Sequence, residues 1–487
     1  MRTGGGRGTQ PLSAAMGALR AARSAVTGIA RGRRPAPQAA REGRQGLIVF
    51  STMYSLHRLR ERRALHTVTY RDLDGYFEHV WSVHPLVGAS PDEPPGYGLG
   101  PPRATSLNAR HTFVEGPIGR FPWLTRFPPL NFLAAQVALL YRLHAIGAGR
   151  GAGCVRATDA YYNGLWALLL SRLYGLAFEV FVIGDSDQLY EDAGALNYPR
   201  LFRWRWVERR VARFTFSRAD LVLVGSSDLE QFALRNGARP DTLATPVGIF
   251  SMIDPVHIVP PAERPEPDPA LPLNGSQPSI VCVSRLESHK RPDDVLHTLA
   301  IARREIPSLT GILVGDGSLR TELEDLSEEL GLGDSLLMVG DRDQQWVASV
   351  LSRATVILAP LAGMALVEAG LSATPIVAYD TEWHPEALEH GVSGLLVPYR
   401  DTEAMAQALC SLVEDPEKAR SIGREARDAM LARIDSRTLV ERERALSERA
   451  FANQQRRRQR TFPYARAGRA GQERDRRAAK GTTKNPG

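Results

Sequence analysis

The stretch "TVILAPLAGMALVEAGLSATPIVAYD", Thr355 to Asp380, decides the fold class of this chain. Two short apolar runs, "TVILAP" and "PIVAYD", flank a segment with the composition of a helix, "MALVEAGLSA". Strands that are apolar on both faces and separated by helices specify a parallel sheet. The pattern recurs from Gly46 onward, in "GLIVFS", "CVRAT", "FEVFVIG", "ADLVLVGS", "SIVCVSR", "LTGILVGDG" and "SLLMVGD". We therefore predict an α/β protein.

A proline-rich segment divides this pattern into two halves. Between Pro255 and Pro278 the chain has eight prolines, which neither a helix nor a central strand tolerates. We predict an N-terminal doubly wound domain over 46–250, a linker over 251–278, a C-terminal doubly wound domain over 279–435 and a last helix over 436–455. In open α/β sheets ligands bind at the carboxyl ends of the strands. The functional site is therefore expected in strand-to-helix loops facing the cleft between the domains.

The net charge of +7 comes from the two ends of the chain. Residues 1–45 carry +8 and residues 453–487 carry +9, so the segment 46–452 carries −10. An acidic body argues against nucleic acid as the main partner, because that function needs a basic face on the folded domain. We predict disordered tails over 1–45 and 456–487, since neither has the composition of a core. For the first tail, an organelle transit peptide and a misplaced start at Met16 or Met53 stay open.

Cysteine usage and hydropathy indicate a cellular location. Cys154, Cys282 and Cys410 lie far apart without histidines at metal-ligand spacing, which predicts a reducing compartment and no zinc site. The longest apolar stretch, 164–184, is interrupted by charged and polar residues and cannot be one membrane span. We expect a cytoplasmic protein. The Arg- and Trp-rich stretch Leu201–Phe214 leaves open a peripheral contact with an anionic inner membrane face, or it packs on the sheet.

The segment "SIVCVSRLESHKRPDDVL" places two cations, Arg285 and Lys290, on a loop between a strand and a helix. The backbone N–H groups and dipole at a helix start add to such side-chain charges. The loop is therefore suited to a multiply charged anion, although two solvated surface cations would show the same pattern.

Two further strand ends carry glycines. Gly315, Asp316 and Gly317 follow the strand "LTGILV", and Gly340 ends the strand "SLLMVG". Glycine permits a tight turn and the close approach of a ligand to the backbone. We include all four in the candidate binding site, although a simple turn would also explain them.

Glu368 lies one turn into an otherwise apolar helix. Each Cβ of a helix tilts toward its N-terminus, so this carboxylate points back to the loop and the cleft. There it can accept hydrogen bonds from two hydroxyl groups. A salt-bridged structural glutamate is the alternative.

Together these motifs resemble those of the retaining glycosyltransferases of family 4. "SRLESHKRPDDVL" is similar to the family's R-L-x-x-x-K segment, and "LVGDGSLRTEL" to its G-x-G-x-x-x-x-L segment. "GMALVEAGLSATPIVAYDTEWHPEALEHGVSGLLVP" is similar to its G-L-x-x-x-E-A, P-V-V-A and P-E-x-x-x-x-G-x-x-G-x-L-V series. The resemblance covers about Gly46 to Gln455 and implies a GT-B fold, in which two Rossmann-like domains face each other across a cleft.

The resemblance also implies roles for individual residues. Arg285 and Lys290 would bind the diphosphate of a nucleoside diphosphate sugar, and Glu368 its ribose hydroxyls. The backbone of Gly363, Met364 and Ala365 would contact the diphosphate and the sugar.

Two positions depart from the family pattern. The family pairs Glu368 with a glutamate eight positions earlier that holds the donor sugar, and Pro360 occupies that position. Glu382 and Trp383 replace the Gly-Gly that precedes the family's P-E. Another residue, with Glu382 as the candidate, therefore holds the sugar, or the donor pocket differs.

The N-terminal half offers Asp159 and Asp185 at strand ends. Each is a candidate for polar contact with donor or acceptor, or else a loop cap. Asp185 and Asp187 also fit the D-x-D pattern of a divalent metal site. Because the cations Arg285 and Lys290 already supply a phosphate site, we expect metal-independent chemistry.

These observations predict a metal- and cofactor-independent hexosyltransferase. It would transfer a sugar with retention from a UDP- or GDP-sugar to a hydroxyl of a lipid-linked or glycan acceptor, in cell-surface polysaccharide synthesis. A sugar-nucleotide epimerase or hydrolase of the same fold, a non-catalytic donor-binding relative and an adaptor driven by the basic tails are the alternatives.

Overall fold

The computed structural model describes residues 46–89, 93–244, 253–273, 275–434 and 436–461. The tail predicted over 1–45, residues 462–487 of the second tail and residues 245–252, at the predicted boundary between the first domain and the linker, lie outside the described residues.

The first domain is built on an eight-stranded sheet. Its strands are β1 (Gly46–Phe50), β2 (Val80–Val87), β3 (Arg103–Asn108), β4 (His111–Pro117), β5 (Ala152–Ala157), β6 (Ala177–Val182), β7 (Leu221–Val224) and β8 (Leu243–Ala244). They are arranged in the order β3-β4-β2-β1-β5-β6-β7-β8, and only the β3–β4 pair is antiparallel. The first-domain helices are α1 (Leu56–Glu61), α2 (His66–Thr69), α3 (Pro128–Ala145), α4 (Ala148–Gly151), α5 (Tyr162–Tyr174), α6 (Ser186–Ala193), α7 (Arg205–Phe216) and α8 (Ser227–Arg235).

The second domain has a six-stranded, fully parallel sheet. Its strands are β9 (Ser279–Val283), β10 (Thr310–Val314), β11 (Leu336–Gly340), β12 (Val356–Ala359), β13 (Ile376–Tyr379) and β14 (Leu395–Val397), in the order β11-β10-β9-β12-β13-β14. The second-domain helices are α9 (Pro292–Ala302), α10 (Arg320–Glu329), α11 (Gln344–Leu351), α12 (Met364–Leu371), α13 (His384–Ala387), α14 (Thr402–Glu414) and α15 (Pro416–Arg433).

Both sheets are covered by helices on both faces. In β1, Leu47 and Val49 lie in one core cluster while Ile48 and Phe50 lie in another, as the two-residue period of a strand requires. This burial on both sides explains why the strands read as continuous apolar runs. The predicted pair of doubly wound α/β domains is confirmed.

The proline-rich segment is packed against the second domain. Arg264 is almost fully buried and donates hydrogen bonds to backbone carbonyls of this segment and of two helices: Val259 O (3.1 Å), His257 O (2.6 Å), Ala348 O (3.2 Å) and Leu371 O (2.7 Å). A buried guanidinium that donates to several carbonyls fixes the backbone around it. This segment is therefore a strap on the second domain.

The last helix, α16 (Ser436–Thr461), returns to the first domain and packs against β5, β6 and β7. The Arg156 guanidinium on β5 lies 2.7 Å from Glu179 and 3.2 Å from Glu443 of α16, and Arg457 lies 3.0 Å from Asp220. The helix continues six residues past the predicted end at Gln455. In this extension Arg457 meets the buried Asp220 carboxylate, and Arg458 donates to the Gly175 carbonyl at 2.7 Å, so the extra turns are held against the first domain.

Two other expectations concern cysteines and membranes. Cys154, Cys282 and Cys410 are all buried and unpaired. Within the described residues, none of the helices combines the length and the apolar character that crossing a membrane requires.

Candidate active site

The predicted cations lie on the loop that follows β9. Arg285 is exposed, and its guanidinium lies 3.1 Å from Nε2 of His289. Lys290 is half-buried, and this burial lowers its pKa. The carboxylate of Glu382 opposes that shift and the charge of Arg285 adds to it, so these three groups share one electrostatic neighbourhood. The structure thus places Arg285 and Lys290 together, beside an acid.

The glycines of the GDG segment shape this loop. A Cβ added to Gly315, whose φ is +128°, would lie 1.9 Å from the carbonyl oxygen of Ser284. One added to Gly317 would lie 2.4 Å from the carbonyl oxygen of Leu286. The Leu286 N–H donates to the Asp316 carbonyl at 3.1 Å, which fastens the two loops together. The glycines therefore allow the cation-bearing loop to pack against its neighbour.

Asp316 and Gly340, the other two candidate binding residues at these strand ends, make contacts within the chain that shape the loop. The Asp316 carboxylate accepts a hydrogen bond from the Gly317 N–H at 2.8 Å. Gly340 has a φ of +73°, and its carbonyl accepts from the Gly315 N–H at 3.0 Å. Both hold the GDG turn in place.

Glu368 lines a cavity of about 290 Å³ between the two domains, together with Met364 at the start of α12. Its side chain is buried, and no hydrogen bond from the described residues reaches its carboxylate. Burial, with a smaller contribution from the charge of Asp254, raises the pKa of Glu368 to about 7. The salt-bridged alternative is therefore wrong for the described residues, and the carboxyl group faces an open cavity as predicted.

The first domain closes this cavity from the opposite side. Arg62, which follows α1, lies 2.5 Å from Asp341, which follows β11, and His66 lies 3.7 Å from Asp254. All four residues line the cavity. The sequence analysis missed them, because these pairs join residues of opposite domains, 279 positions apart in the case of Arg62 and Asp341, that carry no local motif.

The loop with the two unusual residues clamps the start of α12. The Trp383 indole N–H donates to the Ala362 carbonyl at 3.1 Å. The neutral His384 imidazole accepts from the Ala362 N–H at 3.2 Å and donates to the Tyr379 carbonyl at 2.9 Å, consistent with a lowered pKa caused mainly by burial. Glu382 has a φ of +51°, a conformation that favours glycine. A glycine-like backbone is thus kept, and the carboxylate lies near enough to Lys290 to oppose the lowering of the Lys290 pKa.

Pro360 follows β12 and is buried. It brings no polar group to the position where the family pattern has a glutamate. Gly363 and Ala365 lie at the start of α12, with Gly363 as its first capping residue. The Leu366 N–H donates to the Gly363 carbonyl at 3.0 Å. The N–H groups of Met364 and Ala365, which begin the helix, lack an acceptor one turn earlier and are available to an anion.

The aspartates of the first domain are engaged in structural contacts. The Asp185 carboxylate caps α6 by accepting from the N–H groups of Asp187 and Gln188, and it lies 2.9 Å from the Arg235 guanidinium. Asp187 is paired with Arg205. No group of three metal-ligating side chains is found within the described ranges. These contacts favour the loop interpretation of the D-x-D pattern.

Asp159 is also held by neighbours. It accepts hydrogen bonds from the Tyr198 hydroxyl at 2.7 Å and from the Tyr161 N–H at 2.8 Å, and burial raises its pKa. It does not line the cavity, whereas the adjacent Thr158 does. The structure therefore brings together Arg285, Lys290 and Glu382, places Glu368 and Met364 in the cavity, and leaves Asp159 in a loop network.

Comparison with known proteins identifies the relatives of this architecture. A family model described as glycosyl transferases group 1 matches residues 263–429. An alpha-maltose-1-phosphate synthase of Mycolicibacterium smegmatis is 30% identical over 331 residues, which are 60% of this chain and 77% of that protein.

Other curated relatives match over shorter stretches. A GDP-mannose-dependent alpha-(1-6)-phosphatidylinositol monomannoside mannosyltransferase of Mycobacterium tuberculosis is 26% identical over 188 residues, 35% of this chain and 49% of that protein. An exopolysaccharide phosphotransferase of Streptomyces coelicolor is 33% identical over 156 residues, 31% of this chain and 16% of that protein. The chain thus spans half or less of the length of these two relatives.

Among solved structures, sucrose-phosphate synthase from Thermosynechococcus elongatus superposes with a TM-score of 0.63 at 19% identity. The match covers 84% of this chain and 99% of that one. This likeness concerns the fold, and it confirms the predicted GT-B architecture.

Proposed function

Because this chain belongs to the group 1 glycosyl transferases, we propose that it moves a hexosyl group from a UDP- or GDP-sugar to a hydroxyl acceptor. We further propose that it does so with retention, as a divergent relative of family 4. One observation carries the proposal. A cation pair follows β9, and a buried carboxyl group that has no hydrogen-bond partner among the described residues lies on α12, which follows the neighbouring strand β12.

In this scheme the donor lies along the second domain. Glu368 accepts hydrogen bonds from the two ribose hydroxyls, because its carboxylate is buried and has no hydrogen-bond partner among the described residues. Arg285 and Lys290, with the free N–H groups at the start of α12, bind the diphosphate. When the bond between the anomeric carbon and the diphosphate breaks, these groups stabilise the charge that develops on the leaving group.

Glu382 holds the donor sugar in place of the glutamate that Pro360 replaces. It lies beside Lys290 and keeps a strained backbone with φ of +51°, and strained residues cluster where a ligand is bound. No metal ion is needed, because the cations supply the charge that a metal would otherwise provide. The engaged carboxylates of Asp185 and Asp187 support this part of the proposal.

The acceptor approaches from the first domain, across the cavity wall that carries Arg62 and His66. We propose a lipid-linked or glycan acceptor in cell-surface polysaccharide synthesis. The names of the mycobacterial and Streptomyces relatives, which refer to a phosphatidylinositol mannoside and an exopolysaccharide, support that class.

Thermal denaturation with a panel of nucleoside diphosphate sugars tests the donor. A ligand at about 100 times its dissociation constant adds about 2.7 kcal/mol to the free energy of unfolding. Release of nucleoside diphosphate with candidate acceptors, with and without EDTA, then tests transfer and metal independence. The exposed Arg424→Ala variant is a matched control for the cation variants.

Three outcomes would contradict the proposal. If none of the sugar nucleotides raised the melting temperature, the proposed donor site would be refuted. Donor consumption without any acceptor would point to a hydrolase or epimerase. Donor binding without turnover would point to a non-catalytic relative, for which the buried Pro360 is the supporting observation.

A further inference from the structure

Helices α3, α5 and α7 cover one face of the first sheet side by side, with their buried residues in one core cluster. The ring of Phe132 on α3 lies 6.1 Å from the ring of Tyr162 at the start of α5. Gly164 of α5 lies so close to α7 that a Cβ there would be 3.3 Å from Cγ2 of Thr215. The side chains that point away from the sheet therefore form one outward surface.

This surface is rich in exposed apolar side chains. Of the fifteen large apolar residues that are strongly exposed within the described part of the chain, ten lie on these helices or on the residues that lead into them. They are between 40 and 63% exposed and comprise Trp123, Phe127, Leu130, Leu133, Tyr141, Leu169, Leu173, Trp204, Trp206 and Phe214. Exposed apolar patches of this kind mark interaction sites.

The same surface is strongly basic. The stretches 118–151, 162–175 and 201–218 contain eleven arginines and a single acid, Glu208, which is fully buried. By sequence they carry a net charge of +10, although the body of the chain, 46–452, carries −10. Everything else in that body therefore carries −20. Asp187 of α6 pairs with Arg205 and Arg209, so the other nine arginines supply the basic character of the surface. The negative net charge of the body argued against a basic face, but it is an average that conceals this separation of charge. We call the surface formed by these three stretches the basic apolar face.

Cations and aromatic rings alternate across this face. The Arg218 guanidinium lies 3.9 Å from the ring centre of Phe214, and that of Arg210 lies 5.6 Å from the ring centre of Trp206. Such pairs place a charge and an apolar ring at the same depth. The interface of a membrane offers the same combination, because phosphate headgroups lie next to acyl chains and aromatic residues favour that level.

We propose that the basic apolar face docks on the surface of a bilayer that contains anionic lipids. The arginines would meet lipid phosphates, while the tryptophans and leucines would enter the boundary between headgroups and acyl chains. A nucleic acid would satisfy the arginines but would leave Leu130, Leu133, Leu169 and Leu173 without an apolar partner. The charge and the apolar side chains together therefore select a membrane. This inference does not depend on the proposed function, since it concerns where the protein binds.

Vesicle sedimentation of the full chain tests the proposal. We expect binding to vesicles of equal parts phosphatidylglycerol and phosphatidylcholine and little binding to phosphatidylcholine alone. The double variant Arg210→Gln/Arg213→Gln should weaken binding about 25-fold, at about fivefold for each arginine removed. Trp204→Ser/Trp206→Ser should weaken it by at least tenfold, because the apolar area that enters the interface is lost.

Matched changes on the second domain provide the controls. Arg420→Gln/Arg424→Gln and Ile258→Ser/Val392→Ser alter exposed residues of the same chemical kind outside the face and should leave binding unchanged. Every variant keeps both basic tails. Equal binding by the face variants and the parent would therefore assign binding to the tails and overturn the proposal. Absence of binding to the anionic vesicles, or a dimer in sedimentation velocity that Trp206→Ser abolishes, would also overturn it.

Discussion

The two charged sites at the strand ends of the second domain are built in opposite ways. Arg285 and Lys290 lie on a loop near the acid Glu382 and beside His289, whose pKa is lowered to about 4 mainly by burial, and Arg285 reaches solvent. Glu368 lies in a cavity without a hydrogen-bond partner among the described residues, and its burial raises its pKa to about 7. The exposed Arg285 is thus tolerated as a charge in the unliganded protein, whereas burial disfavours the charged form of Glu368 and also that of Lys290, which Glu382 partly compensates.

Because of this difference in solvation, removing the cation and removing the carboxylate should have different effects on the stability of the fold, although both should affect the ligand. Removing a partly solvated cation should affect the ligand and leave the fold unchanged, since its surroundings can be hydrated. Removing an unpartnered buried carboxylate should affect the ligand and stabilise the fold, because a desolvated charge is unfavourable until something binds it. The following changes test this contrast.

The largest effect is expected at the cations. Arg285→Ala and Lys290→Ala should each lower turnover by about two to three orders of magnitude, since a preorganised charge contributes roughly 3 to 4 kcal/mol in the transition state. The melting temperature should stay within the range of the control Arg424→Ala. Stable variants with full activity would refute the assignment. Unfolded variants would show that the two cations are needed for folding, contrary to the expectation that their removal leaves the fold intact.

A smaller effect is expected for a substitution at Glu368, which should weaken ligand binding but increase the stability of the fold. Glu368→Gln should weaken nucleoside diphosphate binding by about 1 to 3 kcal/mol, because an amide replaces one of the two acceptor oxygens by a donor. At pH 8 the same variant should be more stable than the parent, by on the order of 2 to 3 kcal/mol at most. Calorimetric titration and denaturant unfolding measure the two quantities.

The pH dependence of this stability difference follows from the raised pKa. Below the ordinary value of 4.5, the carboxyl group is protonated in both folded and unfolded chains, and the difference should vanish. Between 4.5 and about 7 the folded chain holds the proton more tightly, so the parent loses stability as the pH rises. A variant that is less stable than the parent at pH 8 would show that the carboxylate has a structural partner after all.

The smallest effect concerns the sugar. With Pro360 in place of the usual glutamate, bare nucleoside diphosphate should bind within about tenfold of the sugar nucleotide, or 1.4 kcal/mol. Glu382→Gly should reduce the remaining preference for the sugar nucleotide over the bare nucleoside diphosphate. The same substitution should relieve the left-handed backbone conformation at this position, which costs roughly 1 to 2 kcal/mol. Calorimetry with both ligands decides the point. A preference of a hundredfold or more that survives Glu382→Gly would mean that a third residue holds the sugar.

The second domain could be predicted largely from local patterns, and the first only in part. The strands β9, β10, β12 and β13 of the second sheet are short, mostly apolar runs that are buried on both faces, and the edge strand β11 is apolar although mostly half-buried. The sequence did not indicate β2, β3 and β4. Strand β2 contains His84 and Pro85, and β3 is an edge strand with a mostly exposed or half-buried pattern. Burial in such strands is decided by tertiary contacts.

In the candidate site, too, the sequence indicated residues in local motifs but not residues that meet only through tertiary contacts. Arg285, Lys290 and Glu368 were found because each lies at a strand-to-helix junction with a local motif. Arg62 and Asp341 were not, since their pairing exists only when the domains are assembled. The basic apolar face was indicated only at α7, because its three helices are separated along the chain and the overall charge is negative in between.

The return of α16 to the first domain also affects biosynthesis. Arg156 and Glu443 are 287 residues apart in sequence. At 5 to 20 residues per second, the ribosome delivers Glu443 roughly 15 to 60 seconds after Arg156. During that interval Arg156 has only Glu179, and Asp220 lacks Arg457. The domain that is synthesised first is therefore completed by the last helix to emerge.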